Sequence, residues 1–358
     1  MRSATEAQPS PPTSRLEAAR RSFLAEPLGL HLLAVLLLLL VLALRHATIA
    51  LAAEPVNDES IYFDAFERVA RGESPFDRSG YLTFSLLAHL GAWSLETIGA
   101  AGTLVLLRLA NLAGAATAVW CAAGFVARNW WARLAGSALY LVVAPAVAVG
   151  VFVGNLSLAV SGMIVAALVV WTQRPVVAGL LLGTSVVAKP LVPGAIVALA
   201  CRRGGAGERR HLIAAGLAAA IALAVIALSP GLDRVLAIDP FPRLARSVSP
   251  HRLLHLLGWS GGVIWLSIAI ALGVALAARR RRLDAVRTIA LASTAAVATT
   301  PLVWSHTLLV TLPLQAISLD IAWHRYRGRT GDDGQRRRAA ELTGVALAVA
   351  AIQLAEGA

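Results

Sequence analysis

Residues Leu28–Leu44 read LGLHLLAVLLLLLVLAL, seventeen positions whose only titratable side chain is His31. At 1.5 Å per residue such a helix is about 25 Å long, near the hydrocarbon thickness of a bilayer. The surroundings match. Of 358 residues, 58% are apolar and only 15% charged, with mean hydropathy +0.70. Soluble domains run near 45–50% apolar with about a quarter of residues charged. The composition therefore specifies a polytopic integral membrane protein. Residues 1–27, polar and carrying Arg15, Arg20 and Arg21, read as a cytoplasmic tail. With no small-residue cleavage site before the next polar loop, Leu28–Leu44 reads as a retained span.

Further apolar runs follow at Gly102–Val126, Leu134–Val151, Leu156–Trp171, Val176–Ala188, Leu191–Ala200, His211–Leu228, Gly262–Ala278, Ala285–Thr300, Leu302–Ile321 and Leu342–Leu354. Arginine clusters separate them: Arg128/Arg133, Arg174, Arg202–Arg210, Arg279–Arg282 with Arg287, and the segment Arg325–Arg338. Eleven crossings counted from a cytoplasmic N-terminus put every cluster on one side, as the positive-inside rule requires. That parity needs two short crossings within Val176–Ala200, broken at Lys189-Pro190-Leu191-Val192-Pro193. Short or broken helices persist in membranes where they are buried in protein or line a wet cavity, so the break points to a site. The expected organisation is an all-α transmembrane domain over 28–322 with outer loops at 54–101 and 230–261. A basic cytoplasmic loop (323–340) and a final helix (341–358) complete it.

The net charge of +12 does not signal nucleic acid, because the arginines are accounted for as short loop clusters. Cys121 and Cys201 offer neither a disulfide framework nor a zinc site.

The outer loop after the first span carries Asp58 and Glu59 at its membrane edge, followed by an amphipathic stretch from Ser60. A carboxylate near low dielectric gains proton affinity, as a general base for a sugar hydroxyl needs. The same acids equally suit the N-terminus of a surface helix, where negative charge is stabilised. Lys189 is the only lysine against thirty-one arginines. At a helix break it suits a phosphate, or it snorkels to headgroups. Trp304 and His306 lie beside Pro301 at the next outer turn; Trp304 also fits an aromatic belt. Arg234, Arg243, Arg246, His251, Arg252 and His255 crowd the second outer loop and call for an anionic partner. Arg108 and Asn111, inside a span, must face protein or a cavity.

These stretches together resemble a known family. Asp58-Glu59-Ser60-Ile61-Tyr62-Phe63-Asp64-Ala65-Phe66 and Arg71-Gly72-Glu73-Ser74-Pro75-Phe76 are similar to the opening loop of glycosyltransferase family 87. Gly154-Asn155-Leu156-Ser157 is similar to its Gly-Gln-x-Asn turn, and Lys189-Pro190 to its Lys-Pro break. Pro301-Leu302-Val303-Trp304-Ser305-His306 is similar to its Ser-Pro-x-x-Trp-x-His segment. The resemblance implies a GT-C fold and an inverting transfer of sugar, mannose above all, from a polyprenyl-phosphate donor, with neither metal nor cofactor. The acceptor would be a glycolipid or polysaccharide at the outer face of a bacterial plasma membrane, with membrane lipids as the other partners. It implies Asp58 as base, with Glu59 in reserve. Lys189, His306, Arg243, Arg246 and Arg252 would hold the phosphate, and Tyr62, Asn155 and Trp304 would bind substrate. A transporter or lipid flippase, which also uses broken helices, is the competing reading, and a non-catalytic scaffold of the same descent is a third.

Overall fold

The computed structural model describes residues 12–76, 84–127, 129–203, 209–231, 243, 247, 249–280, 283–301, 303 and 305–326, without the side chains of 12–14, 305–306 and 323–326. Within them every regular element is helical. The chain runs α1 (Pro12–Ala25), α2 (Leu28–Arg45), α3 (Ala47–Ala50), α4 (Asp58–Ala70), α5 (Ser85–Ala123), α6 (Trp130–Val143) and α7 (Pro145–Val153). It continues through α8 (Ser157–Val170), α9 (Pro175–Ser185), α10 (Pro193–Ala200), α11 (Arg210–Ala227), α12 (Arg252–Leu256), α13 (Val263–Arg280), α14 (Ala285–Ala298) and α15 (Leu312–Tyr326). A 3-10 segment, Ser305–Thr311, precedes α15.

Four helical stretches are long and apolar enough to cross a membrane: Leu28–Arg45, Ser85–Ala123, Arg210–Ala227 and Ser260–Arg280. A fifth is the pair α6 and α7, bent by 61°, where Ala144 before Pro145 leaves the helical region (φ −73, ψ 116). The chain is a helical membrane protein. Eleven full-length spans are not found among the described residues, because α8, α9 and α14 have only 14, 11 and 14 residues. The last expected span, Leu342–Leu354, and the loop before it lie outside the described residues. The expected break after α9 is present: the chain leaves helix after Ser185 and re-enters at Pro193, a proline at a first helical position.

The polar segment 54–101, expected as an outer loop, is more helical than its polarity suggests. Its beginning forms α4, as the amphipathic pattern predicts. Its later part is the start of α5, which kinks at Gly99 (φ 73), a conformation that costs glycine little.

The bundle alternates in direction. Both α8 and α10 run from the end that carries Asn155 and Lys189 to the end that carries Trp171 and Arg202, while α9, α11 and α14 run back. The short α8 is largely enclosed, with Leu158, Val160, Ile164, Val165 and Leu168 fully buried. Its approach to α5 depends on two glycines. A Cβ on Gly162 would lie 2.4 Å from the Gly114 carbonyl oxygen, and one on Gly114 would lie 2.3 Å from the Leu158 carbonyl oxygen. Close backbone contact through small residues replaces the hydrophobic drive that lipid removes.

Gly162→Val should therefore force α5 and α8 apart and cost about 1–3 kcal/mol. Thermal unfolding in detergent reads this as a clear fall in midpoint. Gly136→Ala, where an added Cβ meets nothing, should leave the midpoint unchanged or raise it. Equal effects at both positions would refute the tight α5–α8 seam.

Candidate functional site

The first residue of α4 is Asp58, and the chain reaches it through a strained step. Asn57 has φ 46 and ψ −121, the one non-glycine residue with positive φ among those described. Its side-chain amide donates to the Phe152 carbonyl at 2.7 Å, which offsets the conformational cost and fixes the start of α4 against the end of α7. Backbone strain held in this way concentrates at functional sites.

Opposite lies the turn between α7 and α8. Gly154 is left-handed (φ 71), and a Cβ there would sit 2.4 Å from Glu59 Cγ. Only glycine satisfies both demands. The next residue, Asn155, is buried and donates from Nδ2 to Asp58 Oδ2 at 2.8 Å. Its Oδ1 accepts from the backbone N–H of Ser157 at 3.1 Å and from the Ser157 hydroxyl at 2.8 Å. With its oxygen committed to two donors, the amide can present only N–H to Asp58. One carboxylate oxygen is thereby fixed, and among the described residues no donor reaches the other.

The break between α9 and α10 brings Lys189 to the same place. Ala188 packs with Tyr62, Phe66 and Leu156 in a small apolar cluster under α4. The Lys189 side chain is half-buried, and the Asp58 carboxylate acts on its ammonium. Among the described residues the ammonium makes no hydrogen bond. The 3-10 segment closes this end: Thr307 Oγ1 lies 3.5 Å from Ser157 Oγ, one residue beyond His306. The His306 backbone therefore adjoins the Asn155 turn, although its side chain lies outside the described residues, as do Trp304 and Arg246 altogether.

Two expected site residues have other work. Glu59 is 2% exposed and forms an ion pair with Arg108, Arg108 Nη2 to Oε2 at 2.8 Å and Nε to Oε1 at 3.0 Å. Glu59 Oε2 also accepts from the Val56 N–H at 3.0 Å. It anchors α4, and both of its oxygens are engaged by Arg108. Tyr62 is 5% exposed, its ring in the apolar cluster and its hydroxyl accepting from the backbone N–H of Leu156. It supports Asp58 from below and does not face an open space. Asn111 accepts from the Ala159 N–H at 3.3 Å, a tie between α5 and α8. In the second outer loop Arg243 is half-buried and Arg252, opening α12, is exposed. Among the described residues, no hydrogen bond or ion pair joins Arg252 to Asp58. His251 is buried with Nε2 at 2.8 Å from Ser267 Oγ.

Sequence reasoning missed Asn57, whose strain no composition signals, and the Glu59–Arg108 pair. The latter had a signal: a buried arginine in a span must find an anion, and the preceding loop supplied acids. What the assembled groups offer is a carboxylate with one oxygen oriented and one open, beside an ammonium without a hydrogen-bond partner among the described residues. Such a pair can take a proton and hold an anion at one spot.

Comparison with protein-family models, with curated proteins and with solved structures finds no match.

Because Glu59 and Arg108 are both buried, removing one strands the other. Arg108→Leu or Glu59→Leu should each cost about 3–5 kcal/mol, and the double variant should cost less than their sum. Thermal unfolding of the three purified variants checks this. Additive losses would show that the two side chains do not depend on each other.

Proposed function

We propose that the chain is an inverting glycosyltransferase that moves a sugar, mannose in the first instance, from a polyprenyl-phosphate carrier to a glycolipid or polysaccharide hydroxyl. The observation that carries this reading is the Asn155-held Asp58 carboxylate beside Lys189 at the α9–α10 break. The resemblance of the same residues to glycosyltransferase family 87 supports it, and with it a GT-C fold in which short helices such as α8 and α9 complete the count of crossings. The opposite end of the bundle holds Arg20, Arg202 and Arg210, which favours a cytoplasmic assignment there. Asp58 would then face the outside of a bacterial plasma membrane.

In the reaction, the open oxygen of Asp58 accepts the proton of the acceptor hydroxyl. The acceptor oxygen attacks the anomeric carbon from the face opposite the phosphate, forming the new glycosidic bond. The bond from that carbon to the phosphate oxygen breaks, and its electron pair leaves on polyprenyl phosphate. Charge grows on that oxygen, where the Lys189 ammonium stabilises it more in the transition state than in the ground state. Asn155 keeps the basic oxygen aimed. His306 and the arginines of the second outer loop are further candidates for the phosphate.

Purified protein offered a panel of synthetic polyprenyl-phosphate sugars and a glycolipid acceptor tests the proposal. Asp58→Asn should lower turnover by about 10²–10⁴-fold, and Lys189→Ala by about 10²–10³-fold. Transfer at the wild-type rate by Asp58→Asn would remove Asp58 from the chemistry. No transfer from any donor, with lipid scrambling in reconstituted vesicles, would replace the enzyme by a lipid transporter.

A further inference from the structure

A second polar region lies at the far end of the bundle, separated from Asp58 by the length of α8, about 21 Å. A cleft of about 540 Å³ opens there, with Arg20, Arg21, Arg202 and Arg210 in its wall against Glu17 and Asp284. Four guanidiniums thus face two carboxylates. Burial would raise the Glu17 carboxyl, but its bonds to Arg20 and Arg21 hold it below the usual carboxylate range.

The backbone adds to the positive field. Three helices begin at this cleft: α9 at Pro175, directly after the wall residues Thr172 and Gln173; α11 at Arg210; and α14 at Ala285. Helix N-termini carry partial positive charge. Two helices, α8 and α10, also end there, and the carbonyls at the end of α8 are covered. The Val169 carbonyl at the end of α8 accepts from Arg20 at 3.0 Å, and the Thr172 carbonyl accepts from Arg210. Asp284 is committed to capping α14, where it accepts from the Arg287 N–H at 2.7 Å.

Trp171 gives the independent observation. Its ring lines the cleft and is 2% exposed, with the Arg202 guanidinium 5.1 Å above it. Its indole N–H is buried without an acceptor. Indole nitrogen is donor only, so a buried one calls for an oxygen that the described residues do not provide.

We propose that this cleft binds a phosphate group, presented by an anionic lipid headgroup or by a soluble phosphorylated molecule. The arginines and the three helix starts supply charge, and Trp171, in the cleft wall, holds a buried indole N–H as the neutral donor. The site is independent of the transferase reading and stands if Asp58 proves inert.

Thermal unfolding of the full chain in phosphatidylcholine nanodiscs tests it in two arms, one doped with phosphatidylglycerol and the other titrated with inorganic phosphate against chloride at equal ionic strength. Wild type should show a saturable rise in midpoint. The double variant Arg21→Gln/Arg210→Gln, which alters exposed arginines, should require about tenfold or more additional ligand. Trp171→Phe, which keeps the ring and removes the N–H, should weaken binding as well. A rise only with phosphatidylglycerol assigns the site to a lipid, and a rise with phosphate alone assigns it to a soluble ligand. No saturable rise in either arm, or a rise that both variants retain in full, overturns the proposal.

Discussion

The bond between Glu59 and Arg108 is the constraint from which the candidate site follows. Arg108 sits on α5, inside what composition marks as a span, and its guanidinium also donates to the carbonyls of Ala52 and Glu54. One buried side chain thus ties down both α4 and the irregular segment that leads into it. A charge pair in such surroundings contributes little net stability, since desolvation offsets attraction. Its effect is positional. With Glu59 fixed against Arg108, Gly154 packed on the Glu59 stem and Asn57 bonded to α7, the first turn of α4 has no freedom left. Asp58 is held where Asn155 can meet it.

Much of this was legible beforehand. Composition alone gave the membrane class, and the amphipathic pattern after Asp58 gave α4. The lone lysine just ahead of two prolines marked the break that the chain makes between Ser185 and Pro193. The turn at Gly154-Asn155 was visible through resemblance, though its contact with Asp58 was not. Sequence patterns report local periodicity, and these features are local.

What was not legible is long-range pairing. Asn155 and Asp58 are 97 positions apart, and Arg108 and Glu59 are 49 apart. Hydropathy cannot say which acid an intramembrane arginine chooses. Hydropathy also leaves the number of crossings open, because a run of apolar residues does not reveal whether its helix is long enough to reach across a bilayer or is a short, largely enclosed element like α8. Enclosure comes from the glycines at α5 and α8, whose role depends on which helices touch. The arginines shared the problem from the other side. Clusters that read only as topological flanks turn out to converge, from α1, α10 and α11, on one cleft with a buried indole.

The two adjacent acids show why helical geometry decides what composition leaves open. Successive residues of an α-helix point about 100° apart, so the carboxylates of Asp58 and Glu59 are sent to different partners. On α4 the apolar face of Tyr62, Ala65 and Phe66 turns toward the bundle, and that choice sends Glu59 toward Arg108. Asp58 then turns toward the α7–α8 turn and the α9–α10 break. Had the pattern been shifted by one residue, Asp58 would have been the buried anchor and Glu59 the open carboxylate. The division of labour is therefore set by three apolar side chains on α4, and by nothing in the chemistry of aspartate or glutamate. Among the described residues, nothing in the packing calls for an acid with one oxygen open beside an ammonium that makes no hydrogen bond. That is the strongest argument that this end of the bundle is built to meet a substrate.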